Sequence, residues 1–152
     1  MKTLLMFVVV AGVSAGAAGL ARTMQRVPGE PEYQPFRTVW SGVYSKPEAE
    51  RGKETAARLC GSCHGAELKG GTAVRLTGPQ FFERWDNLRL RDVVVQIQGT
   101  MPHGRDFFVP AGSTREVIAF MLRESGVPAG EERMPEDLSV LGDILITRAP
   151  VK

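Results

Sequence analysis

Two cysteines and a histidine stand together at Cys60-Gly61-Ser62-Cys63-His64, and the chain has no other cysteine. On a helix, positions i, i+3 and i+4 share one face, so both thiols and the imidazole point at a single ligand. Two sulfurs so placed can form thioethers to the two vinyl groups of a haem while the imidazole binds its iron. This order of residues is the c-type haem attachment motif.

Three other chemistries use parts of the same motif. A redox-active dithiol also has the form C-x-x-C, but it belongs at a strand-to-helix junction, and no apolar run of period two precedes Cys60. A tetrahedral zinc site needs four ligands, and Cys60, Cys63, His64 and His103 are all the cysteine and histidine there is. Adjacency of Cys63 and His64 would strain such a site. A disulfide between cysteines three apart closes a loop too small to restrict the unfolded chain much. Haem attachment is the reading the residues favour.

The elements that must position this motif are helices. Ser45-Lys46-Pro47-Glu48 is a capping box with proline in the first turn, and it predicts a helix from about Lys46 into the motif. Ala49, Gly52, Ala56 and Leu59 recur at helical spacing, so its inner face is small and admits another backbone closely. A second box, Ser113-Thr114-Arg115-Glu116, predicts the partner helix, closed by Gly126 with Pro128 beyond. Its stripe is Val117, Phe120 and Met121, with Phe120 matched to the notch at Gly52. Between them, Leu90, Val93, Val94 and Ile97 follow helical spacing, yet three consecutive valines equally suit a buried strand.

An iron that only transfers electrons needs a second axial group, and a thioether there raises its potential. Met101, before Pro102 in the loop after that middle element, is the candidate; His103 is its competitor. Methionine in isolation more often fills a core.

The chain of 152 residues has room for one domain, and its net charge of +2 offers no argument for nucleic acid or a strongly charged partner. Arg75, Arg84, Arg89 and Arg91 crowd one stretch and Glu131, Glu132, Glu136 and Asp137 another. Solvated faces are the plain reading; a basic rim that neutralises haem propionates or docks a partner is the sharper one. Met1-Lys2, the apolar run Leu4 to Val13 and small residues through Ala21 read as a secretory signal over 1–21, or as an uncleaved membrane anchor. Either places the domain outside the cytoplasm. Residues 22–44 hold Pro28, Pro31 and Pro35 and read as an extended arm, although Tyr33, Phe36, Val39, Trp40 and Tyr44 are more aromatic and apolar residues than a tether needs. The domain follows over 45–130, and a tail over 131–152 whose Leu138, Leu141, Ile144 and Leu145 suggest a short packed segment.

Together these residues resemble class I c-type cytochromes over roughly 39 to 130. Gly52 stands eight residues before Cys60; Phe120 lies in Ile118-Ala119-Phe120-Met121-Leu122, and the two resemble the family's contact between first and last helices. Thr100-Met101-Pro102 resembles its distal-ligand loop. Closer still is the likeness to single-haem modules accompanying periplasmic dehydrogenases, carried by Val39-Trp40-Ser41-Gly42-Val43-Tyr44, Cys63-His64-Gly65-Ala66-Glu67-Leu68, Gly78-Pro79-Gln80-Phe81-Phe82-Glu83-Arg84-Trp85 and Gly126-Val127-Pro128-Ala129-Gly130. In the family a backbone carbonyl from the loop after the haem motif orients the proximal imidazole, and the sequence leaves open which residue supplies it. The family also has proline near Val74, where this chain has valine, and a tyrosine-bearing segment where this chain has Val109-Pro110-Ala111-Gly112-Ser113.

The resemblance implies an all-α fold with helices wrapped around one covalently attached haem c, and an N-terminal extension. It implies attachment at Cys60 and Cys63, iron ligation by His64 and Met101, and propionate contacts from Trp85 and Arg84; a core tryptophan and a surface arginine are the alternative for that last pair. The expected function is a periplasmic one-electron carrier, not an enzyme, alone or as the cytochrome subunit of a complex, with a dehydrogenase or oxidase as redox partner. Membrane contact is expected only if 1–21 is retained. The alternative is a haem protein with an open or labile sixth site, acting as a sensor or peroxidase-like enzyme with His103 beside a displaced Met101.

Overall fold

The computed structural model describes residues 37–102 and 108–150. The expected signal at 1–21, most of the arm and His103 lie outside the described residues. Along the chain run β1 (Arg37–Thr38), a single 3-10 turn at Val39–Ser41, α1 (Lys46–Leu59), α2 (Gly61–His64), α3 (Pro79–Trp85), α4 (Leu90–Thr100), α5 (Ala111–Glu124), α6 (Leu138–Gly142) and β2 (Ile144–Leu145). The fold is mostly helical, with little strand.

Helix α1 begins as the capping box requires. The Glu48 carboxylate accepts the Ser45 N–H at 3.4 Å, and Pro47 occupies the first turn, where its missing donor is not needed. Its small stripe, with Ala49, Gly52 and Ala56 all buried, lies against α5. At Gly52 the backbones meet: a Cβ there would overlap the Glu116 carbonyl and stand 3.0 Å from Phe120 Cβ. Only glycine permits this crossing. Ion pairs from Arg51 to Glu116 (2.6 Å) and from Arg123 to Glu50 (2.7 Å) flank it.

The partner helix starts earlier than its sequence implies. Ser113 does not cap α5; Pro110 is the N-cap, and helical residues begin at Ala111. The Thr114 hydroxyl donates back to the Pro110 carbonyl at 3.2 Å, while Glu116 turns outward to Arg51. The cap-like spacing is therefore spent on intrahelical and ion-pair contacts one turn inside the helix.

Helix resolves the ambiguity of the valine run. In α4, Leu90, Val93 and Val94 are buried while Val95 is 53 % exposed, a pattern that period two cannot produce. The Asp92 carboxylate accepts the Arg89 N–H at 2.8 Å and closes the first turn.

Residues at both ends contribute to the same core. β1 pairs in parallel with β2, Arg37 opposite Ile144 and Thr38 opposite Leu145. Trp40 stacks on Phe82 with centroids 6.0 Å apart and donates Nε1–H to the Thr147 carbonyl at 2.8 Å. Tyr44, fully buried, donates its hydroxyl to the Val127 carbonyl at 2.7 Å. In the C-terminal segment Leu141, Ile144 and Ile146 are buried, and Ile146 exchanges backbone hydrogen bonds with Asn87 and Leu88 just before α4. The packing thus respects neither edge of the 45–130 span. Among the described residues no helix is long and apolar enough to cross a membrane.

Candidate haem site

The attachment motif sits where α1 gives way to α2. Cys60 has helical backbone angles and links the two helices; its N–H reaches Ala56 O at 2.9 Å and its own carbonyl accepts from His64 N at 2.9 Å. Cys60, Cys63 and His64 therefore keep helical spacing and share a face. Both thiols are free, Cys60 half-buried and Cys63 exposed, and burial pushes the Cys60 thiol above its ordinary range.

The loop that follows folds back tightly on the motif. Gly70 N–H bonds to the His64 carbonyl at 2.9 Å, and Ala73 N–H to the Cys63 carbonyl at 2.9 Å. Gly71 passes so near that a Cβ would stand 2.7 Å from the Cys63 oxygen. Leu76 N–H and the Thr77 hydroxyl both close on the Leu68 carbonyl. The product of this folding is one contact: the Val74 carbonyl lies 2.7 Å from His64 Nδ1. A carbonyl can only accept, so Nδ1 carries the proton and Nε2 keeps its lone pair for a metal. His64 is itself buried, so the ring is held.

All six residues expected at the site line one cavity. Cys60, Cys63 and His64 form one part of its wall, Arg84 and Trp85 of α3 another, and Met101 a third, at the C-cap of α4. Val117 and Met121 of α5 close it with side chains that would contact an apolar ring. Its volume is about 490 Å³, within the range of cofactor pockets.

Trp85 supplies a second test of fit. It is 7 % exposed and its indole nitrogen is buried with no hydrogen-bond partner among the described residues. An orphaned buried donor is costly, so it calls for an acceptor beyond the described residues, as a bound cofactor would supply. The Arg84 guanidinium sits 5.3 Å from the same ring's centre. An apolar cavity with thiols and an open imidazole nitrogen on one wall, and donors for an anionic group on another, fits a haem. Of the remaining arginines in this stretch, Arg75 donates to the Lys69 carbonyl at 3.0 Å and Arg91 is exposed; Glu131 and Glu132 are solvated.

Two contributors escape sequence reasoning. Val74 acts through a carbonyl that every residue possesses, so no side-chain signal exists to find it. Gln96 lines the cavity and donates Nε2–H to Thr100 Oγ1 at 2.8 Å; its spacing four residues before Thr100 is the available sign.

The fold and this site define a class I c-type cytochrome module, a haem-binding electron-transfer domain. The family model described as Cytochrome C oxidase, cbb3-type, subunit III, matches residues 47–121, which include all six site residues. No curated protein and no solved structure shows significant similarity to the chain.

Proposed function

We propose that this protein is an extracytoplasmic one-electron carrier with a single haem c, held by thioethers from Cys60 and Cys63 and ligated by His64 Nε2 and Met101 Sδ. The observation that carries the reading is the bond between His64 Nδ1 and the Val74 carbonyl. It fixes the tautomer that leaves Nε2 open toward the cavity and holds the orientation of the ring. When bound, the haem supplies the one-electron couple. The chain's part is to hold the imidazole against rotation, to offer a thioether from the end of α4, and to keep water from the cavity with Val117 and Met121.

Trp85 Nε1–H and Arg84 serve a propionate, which supplies the acceptor the buried indole lacks. The apolar N-terminal run supports export to the periplasm or an equivalent compartment. The match to an oxidase-subunit family supports a place in, or beside, an oxidase or other redox complex.

The test is the visible spectrum of the exported protein and of Met101→Ala. The wild type should retain its pigment through acid extraction, be low-spin, and show a far-red sulfur-to-iron band when oxidised. Met101→Ala should lose that band and become high-spin. An unchanged spectrum in the variant refutes methionine ligation, and a pigment that acid removes refutes thioether attachment.

A further inference from the structure

We propose that Gln96 and Thr100 are positioning residues for Met101, clamping the last turn of α4 so that its thioether stays within reach of the iron; this rests on the reading of Met101 as distal ligand. The turn that carries the ligand is intrinsically weak. It reads Gln98-Gly99-Thr100, pairing a glycine, about 1 kcal/mol worse than alanine in a helix, with a β-branched residue. Among the described residues tertiary packing does not brace it there: a Cβ at Gly99 would meet none of their atoms within 4 Å. On its N-terminal side, Met101 is held by its own N–H on the Ile97 carbonyl at 3.0 Å.

The clamp meets this weakness with one hydroxyl used twice. Thr100 Oγ1 donates to the Gln96 carbonyl at 2.7 Å and accepts from Gln96 Nε2 at 2.8 Å. Both bonds join residues four apart, so they can form only while the turn is helical. Gln96 and Met101 line the same cavity, whereas Thr100 is exposed. The clamp therefore closes the turn from outside and touches the iron's ligand only through the backbone it steadies. A neutral thioether is a weak ligand that stays bound because the chain keeps it close. Fraying of this turn withdraws it.

Imidazole added to the oxidised haem protein reads the fraying directly, because it binds only when Met101 is off, and its apparent affinity scales with that open fraction. Thr100→Val keeps the shape and the β-branch but loses both bonds. Its imidazole affinity should rise roughly three- to tenfold, the worth of a modest pair of hydrogen bonds, and the far-red band should vanish at correspondingly lower imidazole. Thr100→Ser restores the hydroxyl and should return the affinity to the wild-type value. Gln96→Leu removes one bond of the two and should fall between. A wild-type far-red band together with unchanged imidazole affinity in Thr100→Val overturns the clamp alone. Serine behaving like valine also overturns it, since shape rather than the hydroxyl would then matter. Absence of the band from the wild type overturns the methionine ligand and the clamp with it.

Discussion

Replacing Gly52 by alanine tests the packing on which the haem cavity depends. The added Cβ overlaps the Glu116 carbonyl and its carbon, which are backbone, so no change of rotamer relieves it. Either α1 or α5 must move as a body. A separation of only about 0.5–1 Å forfeits a quarter to a half of each dispersion contact across the gap, and the gap runs along Ala49, Ala56, Val117 and Phe120, all of them buried. Overpacking of this kind costs about 1–3 kcal/mol, and a backbone clash belongs at the top of that range. Alanine returns about 1 kcal/mol through its better helix propensity. The net expectation is a loss of about 2 kcal/mol. With a urea slope of about 1–3 kcal/mol/M, the midpoint for the haem-bound protein, followed by helical circular dichroism, should fall by about 1 M at constant slope. Phe120→Ala should not rescue the variant, because alanine keeps the Cβ and the clashing carbonyl is untouched. A midpoint equal to or above the wild type's would refute the crossing, since propensity alone would then decide the sign.

Tyr44 makes stability depend on alkaline pH. Burial, opposed by Arg123 and aided by Glu124, pushes its hydroxyl from 10.0 up to about 12. The folded state therefore keeps a proton that the unfolded chain has lost, so this contribution is complete below pH 10 and disappears as pH rises to about 12. Tyr44→Phe should flatten that part of a stability-against-pH curve and cost about 1 kcal/mol below it for the lost bond to Val127; identical slopes would contradict the assignment. Ile146→Ala, in the segment beyond the family match, should cost about 2–5 kcal/mol because the side chain is fully buried. A melting temperature equal to the wild type's would mean that this segment does not pack as described.

What the sequence determined is what lies within a few residues along the chain. Cys60, Cys63 and His64 share a face because helical spacing puts them there, and the Ser45 to Glu48 box starts α1 because its bond is local. Even the notch at Gly52 was legible, since a stripe of small residues on one helix and a bulky stripe on another are each periodic. Local pattern also misled: Ser113 and Glu116 have cap spacing, yet Pro110 caps α5 and Arg51 takes the glutamate. The valine run stayed open until burial of Val93 and Val94 and exposure of Val95 decided for a helix.

Tertiary structure alone decided the rest. The acceptor for His64 is the carbonyl of Val74, a group common to every residue, and only the folding of the loop at Gly70, Gly71 and Ala73 selects it. That the nitrogen of Trp85 has no partner among the described residues is invisible in sequence, because whether a donor is satisfied depends on everything around it. The pairing of Arg37 with Ile144 joins residues from opposite ends of the described chain. Periodicity carries information over one or two turns of helix; a contact between distant segments is written in neither segment, and exists only once the core has brought them together.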